Sequence, residues 1–205
     1  MMYRLLISAV QLKTVIIEDD MKPITISKEQ LEVALPKVKP GLQKYWAIQE
    51  KVRRDTSGFT DPELRRSYNG FYRVRRGQPW QSIYFDLMHQ AQTNTYGFSQ
   101  VLRALHQSTG RYEASFASKL VATLDNTQPV IDSVVLKNLG CKLATVNTPN
   151  RMQAIESLHR DLQQNVQSFL ALIEGQALVS AFKAAYPTFA ISEEKMVDLV
   201  LWQMR

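Results

Sequence analysis

A single cysteine, Cys141, and three histidines, His89, His106 and His159, are the whole supply of thiolate and imidazole metal ligands in these 205 residues. One cysteine can close neither an intrachain disulfide framework nor a four-cysteine iron–sulfur cluster, and the histidines lack zinc-site spacing. No metal and no cofactor are therefore expected. The eight glycines are isolated, at 41, 58, 70, 77, 97, 110, 140 and 175. A phosphate cradle needs them clustered so that several backbone N–H groups reach one anion, and neither a Walker loop nor a GxGxxG turn is present. No serine sits in a GxSxG elbow and no histidine has an evident nucleophile partner, so each histidine reads as surface or helix packing. No apolar run approaches the ~18 to 20 residues needed to span a bilayer, so no membrane partner is expected.

The opening Met1 to Leu12 is apolar, but it has no small-residue cleavage signature and runs into Ile16, Ile17, Glu18, Asp19 and Asp20. It does not read as a signal peptide, and a cytoplasmic protein is expected. Residues 1–20 read as an extension outside the native core, with "KTVIIED" the one strand-like segment and Met21 an alternative start of translation. With 45% apolar content, residues 21–205 can bury a core as one all-α domain, or as two closely packed lobes.

The charge is unevenly placed. Between Lys37 and Arg76 eleven Lys/Arg face four Asp/Glu, so this segment alone exceeds the +6 of the whole chain. Aromatic residues interleave with the charges in "RRSYNGFYRVRRGQPW", as Tyr68, Phe71, Tyr72 and Trp80. Basic side chains neutralise phosphates and aromatic faces stack on bases, which points to nucleic acid. The other reading is a helix with an aromatic core face and a solvated basic face.

Helical periodicity covers most of the chain. Ser27 with Gln30 predicts a capping box, Pro36 and Pro40 a break before a second run from Leu42 to Arg53, and Asp61-Pro62 a helix start. Apolar residues repeat at helical spacing around Trp80 to Met88 and Phe98 to Leu105, the latter ended by Gly110. The longest amphipathic stripe runs from Met152 to Ile173. A final helix begins near Ser192, with Glu193 and Glu194 in its first turn.

Between Ser115 and Gly140, "SFASKLVATL" predicts a helix, "DNTQ" a turn and "DSVVLKNLG" a short helix closed by glycine. These residues resemble the helix-hairpin-helix DNA glycosylase superfamily, which includes endonuclease III and 8-oxoguanine glycosylase. Its hairpin reads roughly Gly-Val-Gly-x-Lys-Thr-Ala, followed by an apolar helix and then Val-Asp-x-x-Val with a basic residue and Leu-Gly. Here Ser115, Phe116, Ala117, Ser118 and Lys119 align with the hairpin, and Pro129, Val130, Ile131, Asp132, Ser133, Val134, Val135, Lys137, Leu139 and Gly140 with the aspartate segment. Ser115 and Ala117 replace both hairpin glycines, and the step from Lys119 to Asp132 is shorter than usual in the family.

The resemblance implies a two-lobed all-α fold and a DNA-binding hydrolase of base excision repair that extrudes a damaged base from duplex DNA and cleaves its N-glycosidic bond. It casts Asp132 as the group that stabilises positive charge on the sugar or activates water, and Lys119 as a nucleophile that adds strand cleavage. Ser115, Ala117 and Ser118, with Arg73, Arg75 and Arg76, would contact DNA; Tyr68, Phe71 and Tyr72 would form the base pocket. Each residue also has a purely structural reading. Asp132 is a normal N-cap, Lys119 a solvated helix residue or phosphate contact, and the aromatic cluster core. The alternative function is a non-catalytic DNA-binding or protein-interaction module on the same scaffold, which the missing hairpin glycines favour.

Overall fold

Ser27 accepts a hydrogen bond from the Gln30 backbone N–H while the Gln30 side chain accepts from the Ser27 N–H, the reciprocal box expected at the start of a helix. The computed structural model describes residues 21–204, so the expected N-terminal extension and its strand-like segment lie outside the described residues. Among the described residues all regular structure is helical: α1 (Lys28–Arg54), α2 (Pro62–Tyr72), α3 (Gln78–Asn94), α4 (Phe98–Thr109), α5 (Ala114–Leu124), α6 (Ser133–Asn138), α7 (Arg151–Leu170), α8 (Ile173–Ala185) and α9 (Glu193–Gln203). The predicted starts at Asp61 and Ser192 are present, each side chain accepting from backbone N–H groups of its helix. Gly110 ends α4 in the left-handed conformation.

Two expectations are corrected. Pro36 and Pro40 do not break the chain: α1 runs through both for 27 residues. Val38, Leu42, Tyr45, Ile48 and Val52 form one buried stripe along it. At about 1.5 to 3 kcal/mol per large side chain, five such residues outweigh two interior prolines at about 3 kcal/mol each. The Tyr186 hydroxyl donates to the Leu35 carbonyl at 2.7 Å, adding a bond where the prolines remove two donors.

The Met152 to Ile173 stripe is not one helix. α7 stops at Leu170 and α8 departs at 83°, leaving Ile173 86% exposed. Gly175 makes the corner: a Cβ there would lie 2.1 Å from the Phe169 carbonyl oxygen. Periodicity gives no warning of a bend that depends on a missing side chain.

Helix α9 packs against α1, α6, α7 and α8, while α3, α4 and α5 pack on one another. Contacts of α4 with α7 join the two groups, α2 packs on α1 and reaches α3 through the Tyr68–Tyr84 hydroxyl bond, and one apolar cluster runs through all of them. Because α9 is covered on several sides, even Lys195 within it is buried. Among the described residues no single helix is long and apolar enough to cross a membrane.

Candidate active site

Glycine is absent from the start of α5, and the local structure follows from that. Ser115 and Ala117 favour continued helix, so Ser115 to Ser118 form the first turns of α5 and the preceding turn lies at Gly110 to Glu113. No residue from Arg111 to Leu139 has positive φ. Ala117 and Ser118 are fully buried, which takes both side chains away from any phosphate. Ser118 Oγ donates to the Ser115 carbonyl at 3.0 Å and accepts from the Ile131 N–H at 2.9 Å. It ties α5 to the segment carrying Asp132, so the Ser118 hydroxyl expected at DNA is engaged inside the fold. Ser115 remains half-buried.

One turn further along, Lys119 leaves the core. Its Nζ lies 3.4 Å from the Tyr72 carbonyl oxygen and 5.3 Å from the Phe116 ring centre. Asp132, half-buried, caps α6: Oδ1 accepts from the Val134 N–H at 2.8 Å. Gly140, at φ 68°, closes that short helix, and Cys141 N–H reaches back to the Leu136 carbonyl. Among the described residues Asp132 Oδ2 makes no hydrogen bond.

Lys119 and Asp132 line the same cleft, of about 550 Å³, at the meeting of α1, α2, α5, α6 and α9. This lies within the range of about 300 to 1,000 Å³ for small-molecule sites. Its walls carry the aromatic side chains Phe71, Tyr72 and Trp202, and five cations, Lys37, Lys44, Arg73, Lys119 and Lys195, against two carboxylates, Asp132 and Asp198. Burial pushes the Lys119 amine below its usual range; Asp132 opposes the shift and Arg73 reinforces it. A lysine so placed yields its proton more readily than a solvated one.

Lys195 and Asp198, not singled out by sequence, stand one turn apart on α9 with Nζ 2.6 Å from Oδ2. Lys195 is 3% exposed, and its ammonium lies 4.6 Å from the Tyr45 ring centre. Burial alone would depress it, yet Asp198, Tyr72 and Tyr45 together hold it above the ordinary lysine value. The signal in the sequence was a lysine and an aspartate three apart in "KMVDLVLW", a helix otherwise apolar.

The basic segment divides. Lys37, Lys44 and Arg73 face the cleft, while Lys51 pairs with Glu63 and both Arg53 and Arg54 pair with Glu50. Arg76 Nη2 reaches both carboxylate oxygens of buried Glu113, at 2.8 and 3.0 Å, and lies over Trp80 and Phe116. It pins the segment after α2 to the start of α5. Arg75 is exposed, and Arg73 sits 6.0 Å from the Trp202 ring centre. Of the three aromatic pocket candidates, Phe71 and Tyr72 are cleft wall. Tyr68 is core: it is fully buried and its hydroxyl lies 2.7 Å from that of Tyr84, which donates onward to the Phe116 carbonyl. Among the described residues no three His, Cys, Asp or Glu side chains gather where they could hold a metal ion.

Comparison with family models, curated proteins and solved structures finds no match to the chain.

Proposed function

We propose that the chain is a DNA-binding, glycosylase-like protein with a two-lobed fold of the helix-hairpin-helix type, and that its cleft receives a damaged base extruded from duplex DNA. The observation that carries this reading is the meeting of Lys119 and Asp132 in one basic, aromatic-walled cleft, with the lysine depressed by burial. Phe71, Tyr72 and Trp202 offer faces on which a base stacks, and Lys37, Lys44 and Arg73 offer charge to flanking phosphates. Asp132 is held by its Oδ1 bond to Val134, leaving Oδ2 to stabilise the positive charge that grows on the sugar as the base departs. Lys119, once it has given up its proton, attacks the sugar C1′ as the bond to the base breaks; the electron pair leaves with the base, which takes up the proton that the new C1′ ammonium sheds. Ring opening then gives a Schiff base, from which strand cleavage follows.

A second reading, a non-catalytic DNA-binding or protein-interaction module, has its own support. Asp132 does the work of a helix cap, and the hairpin residues are helical and largely buried. Base release from duplexes carrying oxidised, alkylated and deaminated bases separates the two. Asparagine caps about as well as aspartate, so Asp132→Asn is expected to keep stability and lose base release by on the order of 10². Release of no base by the parent chain, or full activity of Asp132→Asn, leaves the module reading.

A further inference from the structure

At the floor of the cleft, the Lys195 ammonium carries three N–H donors. One is directed to Asp198 Oδ2 at 2.6 Å and the ammonium also faces the Tyr45 ring at 4.6 Å. Among the described residues no other hydrogen bond engages it, nor one to Asp198 Oδ1. Both side chains line the cleft. A buried donor and an adjacent acceptor are therefore left over, side by side, in a space walled by Phe71, Tyr72 and Trp202. Leaving such groups unmade is costly, which makes them selective for a ligand that completes both.

We propose that Lys195 and Asp198 form a reading pair for the edge of the bound heterocycle. The ligand they fit is a purine or pyrimidine that presents a ring acceptor or carbonyl next to an N–H, the acceptor accepting a hydrogen bond from the Lys195 ammonium and the N–H donating to Asp198 Oδ1. A simple anion fits poorly, because the Asp198 carboxylate already offsets the ammonium at contact distance. A fully apolar ligand fits worse, since it would cover both groups and satisfy neither. The inference rests on the proposed base-binding cleft and adds which edge is read and by which residues. Lys119 and Asp132 act on the sugar bond, whereas Lys195 and Asp198 select the base.

The test is binding of free bases to the full chain, followed by calorimetry or tryptophan fluorescence. 1-Methyluracil against 1,3-dimethyluracil, and 9-methyladenine against N6,N6,9-trimethyladenine, are paired so that the glycosidic nitrogen is capped in all four and only the N–H beside the ring acceptor or carbonyl is blocked. The unblocked member of each pair is expected to bind at least about ten-fold more tightly, the value of one hydrogen bond to a charged group. Asp198→Asn strands a buried ammonium and is at risk of unfolding. The double variant Lys195→Met with Asp198→Leu, which replaces both charges by apolar groups of similar size, is the decisive one. With its melting temperature and helical content retained, it should bind blocked and unblocked bases equally. Equal binding of each pair by the parent chain, absence of binding to any base, or a preference that survives in the double variant overturns the proposal. Because this readout needs no cleavage, edge-selective binding without base release would refute the glycosylase reading alone. Base release without edge selectivity would refute the reading pair alone.

Discussion

Lys119 and Lys195 line one cleft, each is stripped of water by its surroundings, and each has an aspartate within electrostatic reach. In α9 the aspartate is one helical turn away and touches the ammonium at 2.6 Å, and the lysine is held more firmly charged than in solution. Between α5 and α6 the aspartate acts at longer range while its Oδ1 is engaged by the Val134 N–H, and desolvation wins. The same two residue types thus give a fixed ion pair in one place and a loosened proton in the other. What decides is whether the carboxylate makes contact, because the Coulomb attraction falls with distance while the cost of burial does not.

The largest effect should come from breaking the contact pair. Asp198→Ala leaves Lys195 charged and buried without a counterion, and is expected to destabilise the fold by about 3 to 5 kcal/mol. Lys195→Met with Asp198→Leu should restore most of that loss. Urea denaturation of the three proteins measures both. A double variant no more stable than Asp198→Ala would mean that the pair is held for packing rather than charge.

His159 extends the comparison to a base whose shift no carboxylate opposes among the described residues. It is 3% exposed, stacked 3.9 Å from the Phe98 ring, and its Nε2 has no hydrogen-bond partner among the described residues. Burial lowers its pKa from 6.5 to about 4, against a weaker opposing bond to the Pro129 carbonyl. Between these values the unfolded chain binds the extra proton, so stability should fall as pH drops below 6.5 and the loss should be complete near 4. At about 1.4 kcal/mol per pKa unit this amounts to a few kcal/mol. His159→Phe should flatten that stretch of the stability profile, as followed by urea midpoints. An unchanged slope would place the acid sensitivity elsewhere.

The smallest effect belongs to Lys119. Its folded pKa lies below the unfolded one, so stability should rise with pH through the window between them. Lys119→Met should be neutral or stabilising at pH 7, within about 1 kcal/mol, and should remove that rise. A loss larger than this would show that the ammonium's contacts with the Tyr72 carbonyl and the Phe116 ring outweigh the cost of burying it.

How much of this was legible beforehand depends on whether the signal was local. Ser27 with Gln30, Asp61 with Pro62, Asp132, Gly140 and Ser192 mark helix ends because capping is chemistry between near neighbours, and each acts as expected. The continuity of α1 through Pro36 and Pro40 was hidden because the burial that outweighs the prolines comes from distant helices. Likewise the basic excess from Lys37 to Arg76 concealed its partners: Glu113, which holds Arg76, lies 37 residues away. The resemblance did bring Lys119 and Asp132 forward as a pair, and they do share a cleft. Lys195 and Asp198 escaped notice because nothing in "KMVDLVLW" says that its lysine points inward.

The contrast between the two lysines is tested most directly by titrating them individually, by NMR of the full chain with 13C-labelled lysine Cε, assigned with Lys119→Arg and the Lys195→Met/Asp198→Leu double variant. Lys119 should titrate below 10.5 and Lys195 above it. Asp132→Asn should lower Lys119 further, since the carboxylate it removes was favouring the charged form. A Lys119 that titrates at or above 10.5, or one indifferent to Asp132→Asn, would contradict the account.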